Sequence, residues 1–256
     1  MNIIVLEDYQ AMSEQAAKLV EEQIKLNSHS VLGLSTGSTP LGLYECLING
    51  FKEREISYQH VTTFNLDEYL GLGKNHPNSY HTFINERLFQ HIDIEQENTH
   101  IPNGMASSIE KECVRYEDLL DNVGPIDLQI LGIGTNGHIG FNEPGTSEFS
   151  KTHVVKLDET TRQNNARFFD SKEDIPNHAI TMGIASILKS KQILLLASGE
   201  KKASAVKQLL SKEIDANFPA SWLWQHENVT LLVDQDAYKL IGNRNGSEGY
   251  STQKNN

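Results

Sequence analysis

The sequence predicts an α/β protein: a Rossmann-like, mostly parallel sheet with helices on both faces and the active site at the carboxyl ends of the strands. Short apolar runs alternate with segments of helical period along the 256 residues, which implies strands and helices in turn. Runs such as Ile193-Leu194-Leu195-Leu196-Ala197 are apolar throughout, as in strands buried on both faces. The loops richest in Gly, Ser, Thr, His and acidic residues follow such runs, where open α/β sheets bind their ligands.

Strands are expected at 2–6, 31–35, 61–65, 128–132, 154–156, 193–197 and 229–233. Helices are expected at 9–26, 40–49, 79–91, 108–122, 179–189 and 202–211. In the first helix Met12, Ala16, Leu19, Val20 and Ile24 form one apolar stripe. Pro40 suits the first turn of the second, where a missing N–H costs nothing. The length lies near the upper limit for one core and no linker interrupts the composition, so 1–241 reads as a single domain. The tail at 242–256 is rich in Asn, Gly and Ser and is expected to be disordered.

Composition excludes several function classes. Acidic residues outnumber basic ones 34 to 22, a net charge of −12, and no basic stripe offsets it, so nucleic acid is not an expected partner. A small anionic substrate remains compatible, because it needs only a few local donors. No apolar run approaches the roughly 18 residues that would cross a bilayer, and the first residues carry no basic signal region. Cys46 and Cys113 stand apart without metal-binding neighbours and read as small hydrophobes of a reducing cytoplasm.

Four loops carry chemistry. In Ser35-Thr36-Gly37-Ser38-Thr39-Pro40, a glycine, hydroxyls and a following helix N-terminus suit a phosphate, although an ordinary turn would look similar. It is neither a Walker loop nor GxGxxG. Asp67 and Glu68 end the next strand, either as a solvated or capping pair or as a general base in the sheet crevice. The third loop, 132–144, has four glycines in nine residues and contains Asn136, His138 and Glu143; the last two could act as a base and its orienting carboxylate. In the fourth, Ser198-Gly199-Glu200-Lys201-Lys202, lysines sit at a helix N-terminus, an unfavourable place unless an anion is bound. No HExxH or paired Cys/His spacing supports a metal at His138, Glu143 and Asp67, and none is expected. Together the loops point to acid–base chemistry on a phosphorylated small molecule.

From about Ile3 to Asp236 the chain resembles the glucosamine-6-phosphate deaminase family. The matching stretches are 32–40, Phe64-Asn65-Leu66-Asp67-Glu68-Tyr69, His76-Pro77-Asn78-Ser79-Tyr80, Gly137-His138-Ile139-Gly140-Phe141-Asn142-Glu143-Pro144, Thr161-Arg162 with Arg167-Phe168-Phe169, and Gly199-Glu200-Lys201-Lys202-Ala203. Gluconolactonases of the same fold resemble it only in the first loop and the His loop. The resemblance implies that Asp67 moves a proton between C2 and C1 of the sugar, that His138 opens the pyranose ring, and that Glu143 orients His138. It further implies that Thr36, Gly37, Ser38 and Thr39 hold the phosphate with Arg167 and Lys202, with no cofactor. Many members carry Asp where this chain has Asn136; the short branch of the family is similar to it in carrying Asn. Longer, hexameric members bind N-acetylglucosamine 6-phosphate allosterically through basic residues where His153 and Val155 align here. The resemblance therefore implies a monomer or small homo-oligomer without that activation. A 6-phosphogluconolactonase-type hydrolase and a non-catalytic sugar-phosphate sensor are the alternatives.

Overall fold

The computed structural model describes residues 1–159, 161–162, 169 and 175–241. The tail at 242–256 and Arg167 lie outside the described residues. Ten strands and seven α-helices follow one another among those described. They are β1 (Asn2–Leu6), α1 (Tyr9–Leu26), β2 (Val31–Leu34), α2 (Leu41–Arg54), β3 (Thr62–Asn65), β4 (Asp67–Tyr69), α3 (Tyr80–Arg87), β5 (Thr99–His100) and α4 (Ile109–Val123). Then come β6 (Leu128–Gly132), β7 (His153–Lys156), β8 (His178–Thr181), α5 (Ile184–Leu188), β9 (Ile193–Ala197), α6 (Ala203–Leu209), β10 (Val229–Asp234) and α7 (Gln235–Tyr238).

Seven strands form one sheet in the order β1-β10-β9-β6-β2-β3-β5, and every neighbouring pair is parallel. Its apolar strands are covered on both faces. Leu32, Leu34, Ile130, Leu194, Leu196 and Leu232 pack with Met12, Val20, Leu43 and Leu47 of α1 and α2. Phe64, Leu131, Leu195, Leu231 and Val233 pack with Tyr116, Ile187, Val206 and Leu209 of α4, α5 and α6. Burying a side chain of this size contributes about 1.5–3 kcal/mol. Capping follows local chemistry: Asp8 accepts from the Ala11 N–H at 2.8 Å at the start of α1, and Ser79 accepts from Thr82 at 3.1 Å at the start of α3. Pro40 falls one position short of the expected first turn, as the residue that precedes α2.

The strand order reverses between β2 and β6: the chain runs outward from β2 through β3 and β5 on one side and from β6 through β9 and β10 on the other, with the first strand, β1, at the edge beyond β10. Ligands of such sheets bind in the crevice at that reversal. Here the loop after β2 and the loop after β6 flank it.

Residues 154–156 form a strand as expected, part of β7 in a separate antiparallel sheet, β4-β8-β7. One expectation needs correction. The helix expected at 179–189 is a strand followed by a short helix, β8 and α5. Ala179 and Ile180 pair with both β4 and β7, and tertiary pairing overrides the helical spacing. Gly183 separates the two elements; a Cβ there would come within 2.1 Å of the Ser150 carbonyl oxygen. The pairing matters for the site, because it sets Asp67 opposite Thr181.

Candidate active site

A cavity of about 900 Å³ opens at the carboxyl edge of the parallel sheet. Its lining includes Thr36, Gly37, Ser38 and Thr39 from the loop after β2, Asp67 from β4, His138 from the loop after β6, and Lys202 from the loop after β9. Residues distant in the chain thus share one wall because parallel strands all end on the same edge.

The first loop is shaped by its neighbours. Gly37 has φ +88°, a conformation that a side chain would strain, and a Cβ there would point into open space. Tyr44 of α2 donates its hydroxyl to the Ser35 carbonyl at 2.5 Å, and Tyr9 of α1 donates to the Ser38 carbonyl at 3.2 Å while accepting from the Gly42 N–H at 2.7 Å. Two phenols therefore brace the loop from behind. Opposite, Asp234 accepts from the Ser198 hydroxyl and, at 2.9 Å, from the Gly199 N–H, fixing the segment that leads to Lys202. Lys202 stands at the N-terminus of α6, a position unfavourable to an ammonium against the helix dipole.

Asp67 is 5% exposed. Burial, reinforced by the negative charge of Glu68, pushes its pKa up to about 8. Its carboxylate lies against the backbone of the third loop: a Cβ on Gly140 would be 3.4 Å from Asp67 Oδ2 and 3.0 Å from Thr181 Oγ1. Gly140 is two residues beyond His138, which ties the carboxylate and the imidazole to one short stretch of chain. Asn142 secures that stretch by donating to the carbonyls of Ile139 and Met182, both at 2.8 Å.

His138 presents 21% of its side chain to solvent, on the cavity side. Burial and the nearby Lys202 charge push its pKa down to about 4, so the imidazole is neutral near pH 7. Gly134 lies under the ring, where a Cβ would come within 2.4 Å of Nδ1 and Cε1. The expected contact between His138 and Glu143 is looser than a hydrogen bond. Nδ1 is 3.7 Å from Glu143 Oε2 and has no hydrogen-bond partner among the described residues. The carboxylate is engaged elsewhere: Thr161 donates to Oε1 at 2.6 Å, and Asn136 donates its amide to Oε2 at 3.0 Å. Asn136 also accepts from the His138 backbone N–H at 3.2 Å. The asparagine therefore joins Glu143 to the His138 backbone, a role open to it because an amide both donates and accepts.

Sequence reasoning missed several supporting residues. Thr161 and Asn142 stood within recognised stretches, but their partners come from distant segments. Tyr80 lines the cavity, stacks on Phe141 at a ring separation of 5.9 Å, and approaches Thr36. Its place beside Pro77 and Ser79 was visible, but its neighbours were not. Among the described residues, no group of three or more His, Cys, Asp or Glu side chains is arranged to hold a metal ion, and no helix is long and apolar enough to cross a membrane.

Comparison with known proteins adds an independent line. The family described as glucosamine-6-phosphate isomerases/6-phosphogluconolactonase matches residues 7–232. Glucosamine-6-phosphate deaminase of Thermoanaerobacter sp. (strain X514) is 52% identical over 241 residues, 94% of this chain and 95% of that protein. The deaminase of Bacillus pumilus (strain SAFR-032) is 53% identical over 240 residues, 94% of this chain and 100% of that protein. A solved structure of a monomeric glucosamine-6-phosphate deaminase superposes with a TM-score of 0.93 at 52% identity, covering 94% of this chain and 100% of the other. The 6-phosphogluconolactonase of Thermotoga maritima, at 23% identity, a TM-score of 0.72 and coverage of 91% and 99%, shares the fold.

Proposed function

The chain belongs to the family of glucosamine-6-phosphate isomerases and 6-phosphogluconolactonases, and we propose that it converts glucosamine 6-phosphate and water to fructose 6-phosphate and ammonia in amino-sugar catabolism. The observation that carries this reading is the single cavity lined together by the hydroxyl-rich loop, Lys202, a buried carboxylate and a neutral imidazole.

The 6-phosphate is held by the backbone and hydroxyls of Thr36, Gly37, Ser38 and Thr39, with the Lys202 ammonium alongside. Arg167 adds a second cation in this scheme. The neutral His138 has both a lone pair and an N–H, so it takes the anomeric hydroxyl proton and delivers a proton to the ring oxygen, giving the open-chain aldehyde. Glu143, held by Asn136 and Thr161, presents negative charge to the imidazole as it gains its transient proton. Ionised Asp67 removes the C2 proton, forming an enolamine, and returns a proton to C1. The resulting C2 imine adds water and loses ammonia, leaving the ketose. Burial favours this carboxylate as a base, since its raised proton affinity increases the driving force for accepting a proton from carbon.

Hydrolysis of a phosphogluconolactone requires no base at C2, so Asp67 separates the two enzymatic readings. Asp67→Asn is expected to abolish C2-proton exchange with solvent and reduce ammonia release by about a hundred- to ten-thousand-fold, while glucosamine 6-phosphate still binds. Ammonia and fructose 6-phosphate should appear with purified parent enzyme. Turnover of the variant near the parent rate would remove Asp67 from its role, and lactone hydrolysis without deamination would replace the reading.

A further inference from the structure

Glu68 is buried, 2% exposed, yet does not line the cavity. Adjacent strand residues point to opposite faces, so it stands behind the strand whose front carries Asp67. Its carboxylate accepts from three backbone N–H groups: Tyr69 at 2.8 Å and Tyr80 at 2.9 Å on Oε1, and His81 at 2.9 Å on Oε2. Two of these donors belong to the first turn of α3. One side chain thus closes the loop between β4 and α3. Ser79 already caps α3 at the Thr82 N–H, so the Glu68 carboxylate is a second acceptor at that helix start, buried beside the proposed base.

We propose that Glu68 is a positioning residue for this site, tying the Asp67 strand to the start of α3 so that Tyr80 is seated on the cavity wall and a second negative charge stands beside Asp67. The inference rests on the deaminase reading for its kinetic consequence, but not for the coupling itself. Three amide donors favour the ionised form of Glu68 against the burial that pushes its pKa up. The same charge raises the proton affinity of Asp67.

Among the described residues, the groups that face Asp67 at close quarters, apart from Glu68, are uncharged. Tyr44 from α2, Tyr80 from α3 and Tyr116 from α4 face Asp67 as phenols whose pKa values are raised by burial, so they are uncharged. Tyr69 stands beside Glu68 on β4, and His81 of α3 has its pKa pushed down by burial and by Lys74, so it too is neutral near pH 7. The strand opposite, β8, brings Thr181. Across the cavity are neutral His138 and the Lys202 ammonium. Removing the Glu68 charge should therefore act directly on Asp67.

The test follows the Asp67 carboxyl carbon by NMR through a pH titration, in the parent and in Glu68→Gln, alongside the pH profile of kcat. The Asp67 midpoint is expected to fall by about one pH unit or more in Glu68→Gln, with the acid limb of kcat moving the same way. KM should rise several-fold, because an amide presents a donor to one of the three N–H groups. Glu68→Asp keeps the charge and should restore the midpoint while leaving KM raised. A folded Glu68→Gln protein with an unmoved Asp67 midpoint would overturn the proposal. Should that variant not fold, Glu68→Asp carries the test: its Asp67 midpoint should stay near the parent value while KM rises several-fold, and an unchanged KM would equally overturn the proposal. The NMR midpoints need no substrate, whereas a parent enzyme that releases no ammonia would sink the deaminase reading alone.

Discussion

A buried carboxylate that must be charged to work is a burden on the fold, and Asp67 makes the burden measurable. In the unfolded chain it titrates near 4; in the fold burial and Glu68 push it up to about 8. Between those values the native state holds a proton that the unfolded state has released, so stability falls as pH rises through the window and the penalty is complete above it. Asp67→Asn removes the ionisable group while keeping its shape. The variant is expected to gain on the order of 5 kcal/mol at pH 9 relative to its change at pH 4, read from denaturant melts at both values. Equal effects at the two pH values would mean that Asp67 is not desolvated as placed. At this scale the sequence was informative where a residue type was unusual for its position: Asp67, His138 and Lys202 follow strands and all reach the cavity. Glu143 was legible as a partner of His138 but not as an acceptor from Thr161, because that hydrogen bond joins segments 18 residues apart.

Loops gain their precision from the elements behind them, and the end of β10 illustrates how. Asp234 accepts from Ser198, from Gly199 and, at 2.8 Å, from the Ala237 N–H that begins α7. One carboxylate thus caps a helix and fixes the turn that leads to Lys202. Asp234→Asn puts a donor where three donors already converge. Its expected effect is a rise of about five- to tenfold in KM for glucosamine 6-phosphate with kcat changed much less, and a loss of about 1–2 kcal/mol of stability. An unchanged KM would show that the turn holds its shape without this contact. The long, apolar strands of the main sheet could be read from pattern alone, as with Ile193–Ala197. The small sheet could not. Its β4 is three residues long, Asp67–Tyr69, too short for any alternation to register, and β8 carries spacing that suits a helix until its two partners are known.

At the scale of the molecule, the parallel sheet buries one apolar face against α1 and α2 and the other against α4, α5 and α6, so both principal layers find their cover within the chain. The large exposed apolar residues come from several elements, among them Leu26 at the end of α1, Val114 and Val123 on α4, Phe149 before β7, Val154 on β7 and Ile214 after α6. An obligate interface of the kind that joins permanent oligomers usually covers 2,000 Å² or more of largely apolar surface, and a net charge of −12 adds mutual repulsion between copies. β7, where His153 and Val155 stand, is an edge strand of the small sheet; His153 Nδ1 is satisfied locally by the Lys151 carbonyl at 2.8 Å. Neither residue supplies the paired cations that an effector phosphate would need. A monomer with hyperbolic kinetics is therefore expected: light scattering should give a mass near 28.7 kDa, and N-acetylglucosamine 6-phosphate should leave the shape of the rate curve unchanged. The charge term makes a further demand, since screening within about 10 Å at 0.1 M salt weakens repulsion between copies. The mass should remain that of a monomer at both low and high salt if absence of a complementary face, rather than repulsion, keeps the copies apart. A sigmoidal curve made hyperbolic by the effector, or assembly appearing as salt is added, would contradict this account.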